Sequence, residues 1–244
     1  MIHFHGTPIG GSRQDVARFL SGRHALVPFP RQDDVGIVAD VCKSFVFDNG
    51  AFSVWKRGAE LDIAGYKAWV NDWRNHPGFE WALIPDVIDG DEAENDTMIA
   101  DWQDAGLAKY GVPVWHMHES IDRLAALATN WRTVALGSSG AFASPGTAQW
   151  WQRIAQAMHA ICDEHGRPMC KLHGLRMLDP EIFSRLPLSS ADSTNAAVNC
   201  GSQSRFGMYV PPTSSQRASV IADRIESHNS AHIWQRHCQF NLIL

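Results

Sequence analysis

Short apolar runs, most of them ending in a polar residue or a glycine, alternate along this chain with longer segments of helical periodicity. Apolar runs of this length, bounded by turn residues, are typical of strands buried on both faces of a sheet. Eight runs therefore predict strands: Ile2–His5, Ala25–Phe29, Ser44–Asp48, Glu80–Pro85, Val112–His116, Thr133–Gly137, Lys171–Leu175 and Ser189–Asp192.

The segments between these runs carry the boundary signals of helices. Helices are predicted within 13–22, 63–78, 90–106, 144–166 (beginning at Ser144–Pro145) and 179–186, and a closing helix follows the loop at Pro211–Pro212. Asp179 is placed to cap its helix, with Pro180 at the first helical position. Strict alternation of strands and helices predicts a parallel sheet. Eight repeats in 244 residues predict an α/β fold, a closed (β/α)8 TIM barrel forming one domain over residues 1–244.

Composition narrows the choice of function classes. The net charge of −5 excludes a generally basic nucleic-acid coat, so contacts to nucleic acid have to be local. No window is long and apolar enough for a membrane span, and the first residues do not read as a secretory signal. Five scattered cysteines without a CxxC pair fit a reducing compartment, so we expect a cytoplasmic protein without structural zinc.

Candidate chemistry lies at the predicted strand ends, because the active site of a barrel forms at the carboxyl ends of its strands. Asp48–Asn49, Asp86 and Asp192 bring three carboxylates to this rim. The other polar groups predicted there are His116, His118, Gly137, Ser138, Ser139 and His173. Two carboxylates at moderate separation are able to work as in glycosidases, one attacking an anomeric carbon while the other transfers protons.

Each of these residues also has a structural interpretation. Asp48, before Asn49–Gly50, is placed for an Asx turn, and Asp86 is placed to cap the following helix. His116 and His173 are equally interpretable as hydrogen-bonded core histidines, and Asp192 as the cap of a helix from Ser193. Their joint occurrence on one rim favours a functional site.

Five segments in the same order resemble the tRNA-guanine transglycosylase superfamily, over about residues 45–199. "FDNGAF" is similar to the family's "DSGGF", "IPDV" to its aspartate after strand four, and "VWHMH" lies where the family has "VQGG". "VALGSS" resembles "IGGL", and "HGLRMLDPEIFSRLPLSSADST" resembles the block with the nucleophilic aspartate. Ser190–Ala191–Asp192–Ser193 is most similar to the phage and bacterial branch that inserts 7-deazaguanine bases into DNA.

The resemblance implies a role for each matched position. Asp192 is the nucleophile that attacks the sugar C1′, and Asp48 transfers protons to the leaving base and from the incoming one. Asp86 binds the pyrimidine edge of the base, and Phe52 stacks on it. The remaining implied substrate-binding residues are Asn49, His116, Gly137, Ser138, Ser139 and His173.

The chain departs from the family at several of these positions. Asn49 and Ala51 replace serine and glycine, and His116 replaces a base-binding glutamine. The cysteine-rich zinc site of the tRNA enzymes is absent, since only Cys200 and Cys238 follow the nucleophile strand. The resemblance therefore implies DNA rather than tRNA as the polymer, a free 7-deazaguanine base as co-substrate, and no cofactor or metal.

Further consequences concern the nucleic acid. A base inside DNA has to leave the stack to reach a barrel mouth, and the phosphates then need basic partners near the rim. The candidates are Arg31, Lys56, Arg57, Arg176 and Arg205. The oligomeric state stays open.

Two other functions fit the same residues. A metal-dependent amidohydrolase barrel would use His3 and His5 on strand one, His116 or His118, His173 and Asp192 as ligands. A barrel that binds a base without catalysis would need the pocket, but not both Asp192 and Asp48.

Overall fold

A computed structural model describes residues 1–7, 12–202 and 206–235. Nine parallel strands form one sheet: β1 Ile2–Gly6, β2 His24–Pro28, β3 Ser44–Asp48, β4 Phe79–Leu83, β5 Gly111–Val112, β6 Val114–His116, β7 Thr133–Gly137, β8 Lys171–Gly174 and β9 Ser190–Ser193. Hydrogen-bonded neighbours follow the order β5-β4-β3-β2-β1-β9-β8-β7-β6. The two end strands, β5 and β6, are separated in the chain by Pro113 alone. The sheet is therefore barrel-like and nearly closed, consistent with a TIM-like barrel.

Helices occupy the connections between strands. They are α1 Arg13–Leu20, α2 Val35–Val41, α3 Ala51–Trp55, α4 Ile63–Trp73, α5 Glu92–Asp104, α6 Ile121–Asn130, α7 Ala148–Ile161, α8 Pro180–Phe183, α9 Asn195–Asn199 and α10 Ser214–Glu226. Single-turn 3₁₀ segments lie at Phe29–Asp34, Ala108–Tyr110 and Gly140–Phe142. None of the helices among the described residues combines the length and hydropathy that a bilayer crossing requires.

The predicted strands are all present, with shifted ends and one interruption. The strand predicted over Val112–His116 is two strands, because Pro113 has no N–H to donate to the ladder. The helix predicted from Ser144–Pro145 begins at Ala148 instead, since the Thr147 hydroxyl accepts the Trp150 N–H and caps it. Asp179 and Pro180 cap and open α8 as predicted. Helices α2, α3, α6 and α9 were not individually predicted.

Alternate residues of each strand face opposite sides of the sheet. Phe4, Leu26 and Val46 form one small cluster on the inner face, and Leu83 belongs to a second; Trp81 packs against both. The larger core packs the outer face against the helices, with Trp102, Trp115 and Trp150 fully buried. Because all strands run parallel, their carboxyl ends lie at the same end of the sheet.

Candidate active site

Asp48 is the last residue of β3 and lies in a turn that fixes its carboxyl group. Its Oδ1 accepts the Gly50 N–H at 3.0 Å, which is the Asx turn that the sequence allowed. Gly50 has φ +78°, and a Cβ at this position would lie 2.5 Å from Pro30 Cδ, so the turn requires glycine. Asp48 therefore stabilises this turn and also lies at the end of the sheet where the strands have their carboxyl ends.

The pKa of Asp48 depends on two other carboxylates of the rim. Burial raises it to about 7, the Gly50 N–H opposes the rise, and the negative charges of Asp192 and Asp86 add to it. Asp48, Asp86 and Asp192 thus lie within electrostatic reach of one another. A carboxyl group with a pKa near 7 is able both to donate and to accept a proton at neutral pH.

Asn49 holds Asp86 in place. Its Nδ2 donates to Asp86 Oδ1 at 2.8 Å and to Ile84 O at 3.0 Å, while its Oδ1 accepts the Ala51 N–H. Asn49 was predicted to bind substrate, yet its side chain is buried and its amide hydrogens are used within the protein. Asp86 is not a helix cap, because Asp91 caps α5.

His116 binds the second oxygen of Asp86, with Nε2 to Oδ2 at 2.9 Å. Burial alone would lower the pKa of His116, but the carboxylates of Asp86 and Glu119 overcome this and raise it to about 9. At neutral pH the imidazole is therefore charged, and Nε2 donates to Asp86. His116 is buried, and the hydrogen bond of its Nε2 orients the Asp86 carboxylate.

Two residues that the sequence analysis missed continue this network. Glu119 Oε2 accepts the His116 N–H at 2.9 Å and a hydrogen bond from Arg123 Nη1 at 2.8 Å. Arg123 Nη2 also donates to Asp96 Oδ1 at 2.8 Å. Glu119 lies in the turn between β6 and α6, outside any helix, so a helical spacing to His116 or Arg123 was not available as a signal.

Asp192 lies inside the rim of β9, with its side chain 8% exposed. Its Oδ1 accepts the Arg176 N–H at 2.9 Å, and His173 Nε2 lies 3.3 Å from the same oxygen. His173 is fully buried and its Nδ1 is 2.9 Å from Ser190 Oγ, so it supports Asp192 from below. The helix-cap interpretation of Asp192 is wrong, because Ser193 Oγ accepts the Asn195 N–H instead.

A cavity of about 690 Å³ opens beside these groups. Its wall includes predicted site residues and several that were not predicted. The lining residues most relevant to a ligand are Phe52, Trp55, Asp86, His116, His118, Gly137, Ser138, Ser139 and Arg176. Asp48, Asn49, His173 and Asp192 are not among its lining residues.

The hydroxyl groups at the cavity edge are already engaged. Ser138 Oγ accepts the Trp150 indole N–H at 2.9 Å, and Ser139 Oγ lies 2.8 Å from His118 Nδ1. Contacts of the Gly137–Ser139 segment to a ligand are therefore expected from its backbone.

Phe52 and Trp55 are exposed aromatic side chains at the mouth, 40% and 48% accessible. The Arg176 guanidinium lies over the Phe52 ring, with Cζ 4.4 Å from its centroid. Arg176 has φ +58°, and no other non-glycine residue of the described ranges has a positive φ. Its side chain thus contacts the aromatic mouth while its backbone holds Asp192.

Replacing Arg176 with glycine tests the strain at this position. The left-handed conformation lowers the free energy of unfolding by about 1 kcal/mol for a residue with a Cβ, and glycine adopts it without this penalty. We expect Arg176→Gly to have a higher free energy of unfolding than Arg176→Ala by about 1 kcal/mol, measured by urea denaturation. Both variants lack the guanidinium, so an equal stability of the two would contradict a strained backbone here.

The proposed amidohydrolase ligands are not brought together. His3 and His5 lie on the outer face of β1, where His5 Nε2 pairs with Glu226 at 2.8 Å and His3 Nε2 lies 3.1 Å from His228 O. Within the described ranges, no group of three or more histidine, cysteine, aspartate or glutamate residues is arranged to hold a metal ion.

The basic residues proposed for phosphate contacts have different surroundings. Arg31 pairs with Asp34 at 3.7 Å, and Arg57 Nε donates to Ser53 O. Lys56 follows α3 and is exposed. Arg205, like Cys238, lies outside the described residues.

Comparisons with protein-family models, with curated proteins and with solved structures found no match to this chain.

Proposed function

We propose that the protein is a base-exchange transglycosylase that replaces guanine in DNA with a 7-deazaguanine derivative. On this proposal β5 and β6 are one strand interrupted at Pro113, and the sheet is the eight-stranded (β/α)8 barrel that the sequence predicts. The observation that carries the proposal is the group of Asp48, Asp86 and Asp192 at one end of the sheet, where burial, with the charges of Asp192 and Asp86 added, raises the pKa of Asp48 to about 7.

The two catalytic carboxylates have different tasks. An Asp192 carboxylate oxygen attacks C1′ of the nucleotide, the bond from C1′ to the guanine nitrogen breaks, and a glycosyl ester forms. Protonated Asp48 gives its proton to the departing guanine. Asp48, now ionised, accepts the ring N–H proton of the incoming base, whose nitrogen attacks C1′ and releases Asp192.

The surroundings of Asp192 support its role as the nucleophile. The Arg176 N–H donates to one oxygen, Oδ1, with His173 Nε2 3.3 Å from it, and within the described ranges no hydrogen bond engages Oδ2. A carboxylate held at one oxygen has the other available for attack in a defined orientation.

Base recognition falls to Asp86 and the aromatic mouth. Protonated His116 and Asn49 donate to the two Asp86 oxygens, which fixes the orientation of the carboxylate. An ionised carboxylate accepts from adjacent N–H groups, and the pyrimidine edge of guanine offers a ring N–H beside an amino group. Phe52 and Arg176 supply flat surfaces for stacking, as nucleic-acid-binding proteins commonly do.

The amidohydrolase alternative is less well supported, because His3 and His5 face away from His116, His173 and Asp192. Base binding without catalysis gives no role to the raised pKa of Asp48 beside Asp192. Both alternatives therefore make different predictions for carboxylate variants.

Binding of the free base tests the recognition part of the proposal. We expect calorimetry to show that guanine and 7-deazaguanine bind and that adenine does not. Asp86→Asn should weaken guanine binding about 10- to 200-fold, the usual cost of leaving a polar edge without its hydrogen-bond partner. Asp89→Asn is the matched control, since Asp89 lines the same cavity. Equal affinity for adenine, or an Asp86→Asn variant with unchanged affinity, would contradict the proposal.

A further inference from the structure

A second cavity, of about 820 Å³, opens at the opposite end of the barrel-like sheet. Its lining includes the first residues of several strands and the loops that precede them. These residues include Ile2, Glu80, Gly111, Thr133, Lys171, Ser189 and Ser190. It is larger than the cavity at the carboxyl ends, and the two cavities have no lining residue in common.

The cavity exists because the inner face carries small residues at this end. The interior of a TIM-type barrel is ordinarily filled by layers of bulky branched side chains. Here Thr133 and Ser190 take such positions, and the space beside them extends to Trp81. Leaving this volume unfilled forgoes packing contacts, which favours a role in binding.

The inner wall and the rim differ in chemistry. Trp81 is the half-buried aromatic side chain of the inner wall, and it packs edge to face on the fully buried Phe4, with ring centroids 5.8 Å apart. At the rim are the exposed side chains of Lys109, Arg132 and Lys171. Arg132 and Lys171 form no ion pair within the part of the chain that the structure describes, and Glu80 is the carboxylate among the lining residues.

We infer that this cavity binds a nucleoside monophosphate, with its base against Trp81 and its phosphate at Lys109, Arg132 and Lys171. A flat heteroaromatic ring fits an aromatic wall, and lysine and arginine at the mouth match a dianion. The volume lies in the range of small-molecule pockets. The inference does not depend on the proposed base exchange, because the two sites occupy opposite ends of the sheet.

Calorimetric titration with adenosine 5′-monophosphate tests the inference, since adenine is not expected to bind at the carboxyl-end site. We expect the monophosphate to bind at least 10-fold more tightly than adenosine or inorganic phosphate alone, and binding to weaken with salt. The double variant Arg132→Glu and Lys171→Glu should lose at least 10-fold in affinity, and the charge-conserving Lys171→Arg should keep it. These side chains are exposed, and circular dichroism checks that the variants fold.

Asp86→Asn serves as the control at the other end of the sheet and should leave binding of the monophosphate unchanged. No binding to the wild-type protein, or full affinity in the double charge reversal, would overturn the inference. Loss of binding in Asp86→Asn would also overturn it, by placing the ligand in the carboxyl-end cavity. None of these outcomes bears on base exchange, so the two proposals fail separately.

Discussion

Asp192→Asn is expected to abolish base exchange, lowering kcat on the order of 10⁵-fold, the scale on which enzymes lose activity with their nucleophile. Attack on C1′ needs a carboxylate oxygen, and an amide keeps the shape without the nucleophilicity. The fold should survive, because an amide oxygen still accepts the Arg176 N–H that Asp192 Oδ1 accepts. Denaturing gel electrophoresis of protein trapped with a labelled oligonucleotide should show an adduct for the wild type alone.

A matched control for this variant is Asp179→Asn. Asp179 caps α8 from the same segment of the chain, and asparagine caps a helix as well as aspartate does. This variant should retain full exchange activity. An Asp192→Asn protein that exchanges bases at the wild-type rate would rule out the covalent mechanism.

Asp48→Asn is expected to slow exchange by about 10²–10⁴-fold, the usual contribution of a general acid–base. The first half of the reaction uses protonated Asp48, whose pKa is about 7, so wild-type kcat/KM should fall as the pH rises above about 7. The variant should lack this decline. Rates measured from pH 5 to 9 with both proteins check the expectation.

The same substitution should stabilise the fold at alkaline pH. The pKa of Asp48 is raised in the folded protein, so its contribution to stability is fully present below the unfolded pKa of 3.8 and is lost as the pH rises through about 7. Asparagine stays neutral, and since Asp48 is partly exposed we expect a gain of only about 1–3 kcal/mol at pH 8.

Thermal unfolding at pH 5 and pH 8 measures this gain, with Asp62→Asn as the control because Asp62 caps α4. A loss of stability at pH 8 in Asp48→Asn, or a wild-type activity that does not decline above pH 7, would contradict the assignment of Asp48.

The positions of the strands could be predicted because their apolar runs are short and sharply bounded. Ser44–Asp48 and Thr133–Gly137 have the ends that the sequence indicated. The break at Pro113 follows from the missing N–H of proline and was visible in the sequence, yet the apolar residues around it suggested one continuous strand. Helix α3 is only five residues long, too short for periodicity to indicate.

The site was predictable as a set of strand-end residues, but not in its internal arrangement. The sequence placed Asn49 and His116 on substrate, whereas the structure uses both to hold Asp86. Glu119 and Arg123 are buried in the structure. Charged residues are rarely buried, so the sequence alone did not indicate that these two are. The conformation of Arg176 depends on the turn between β8 and α8 and left no sequence signal.

The measurement that tests base exchange most directly is the transfer of labelled guanine into polymer. The protein is incubated with labelled guanine and either DNA or tRNA, and the polymers are then separated from free base and counted. We predict label in DNA, more in single-stranded or locally opened sites than in an intact duplex, because flipping costs a few kcal/mol there. Absence of label from both polymers, under conditions where the free base binds, would contradict base exchange, and label in tRNA alone would contradict DNA as the substrate.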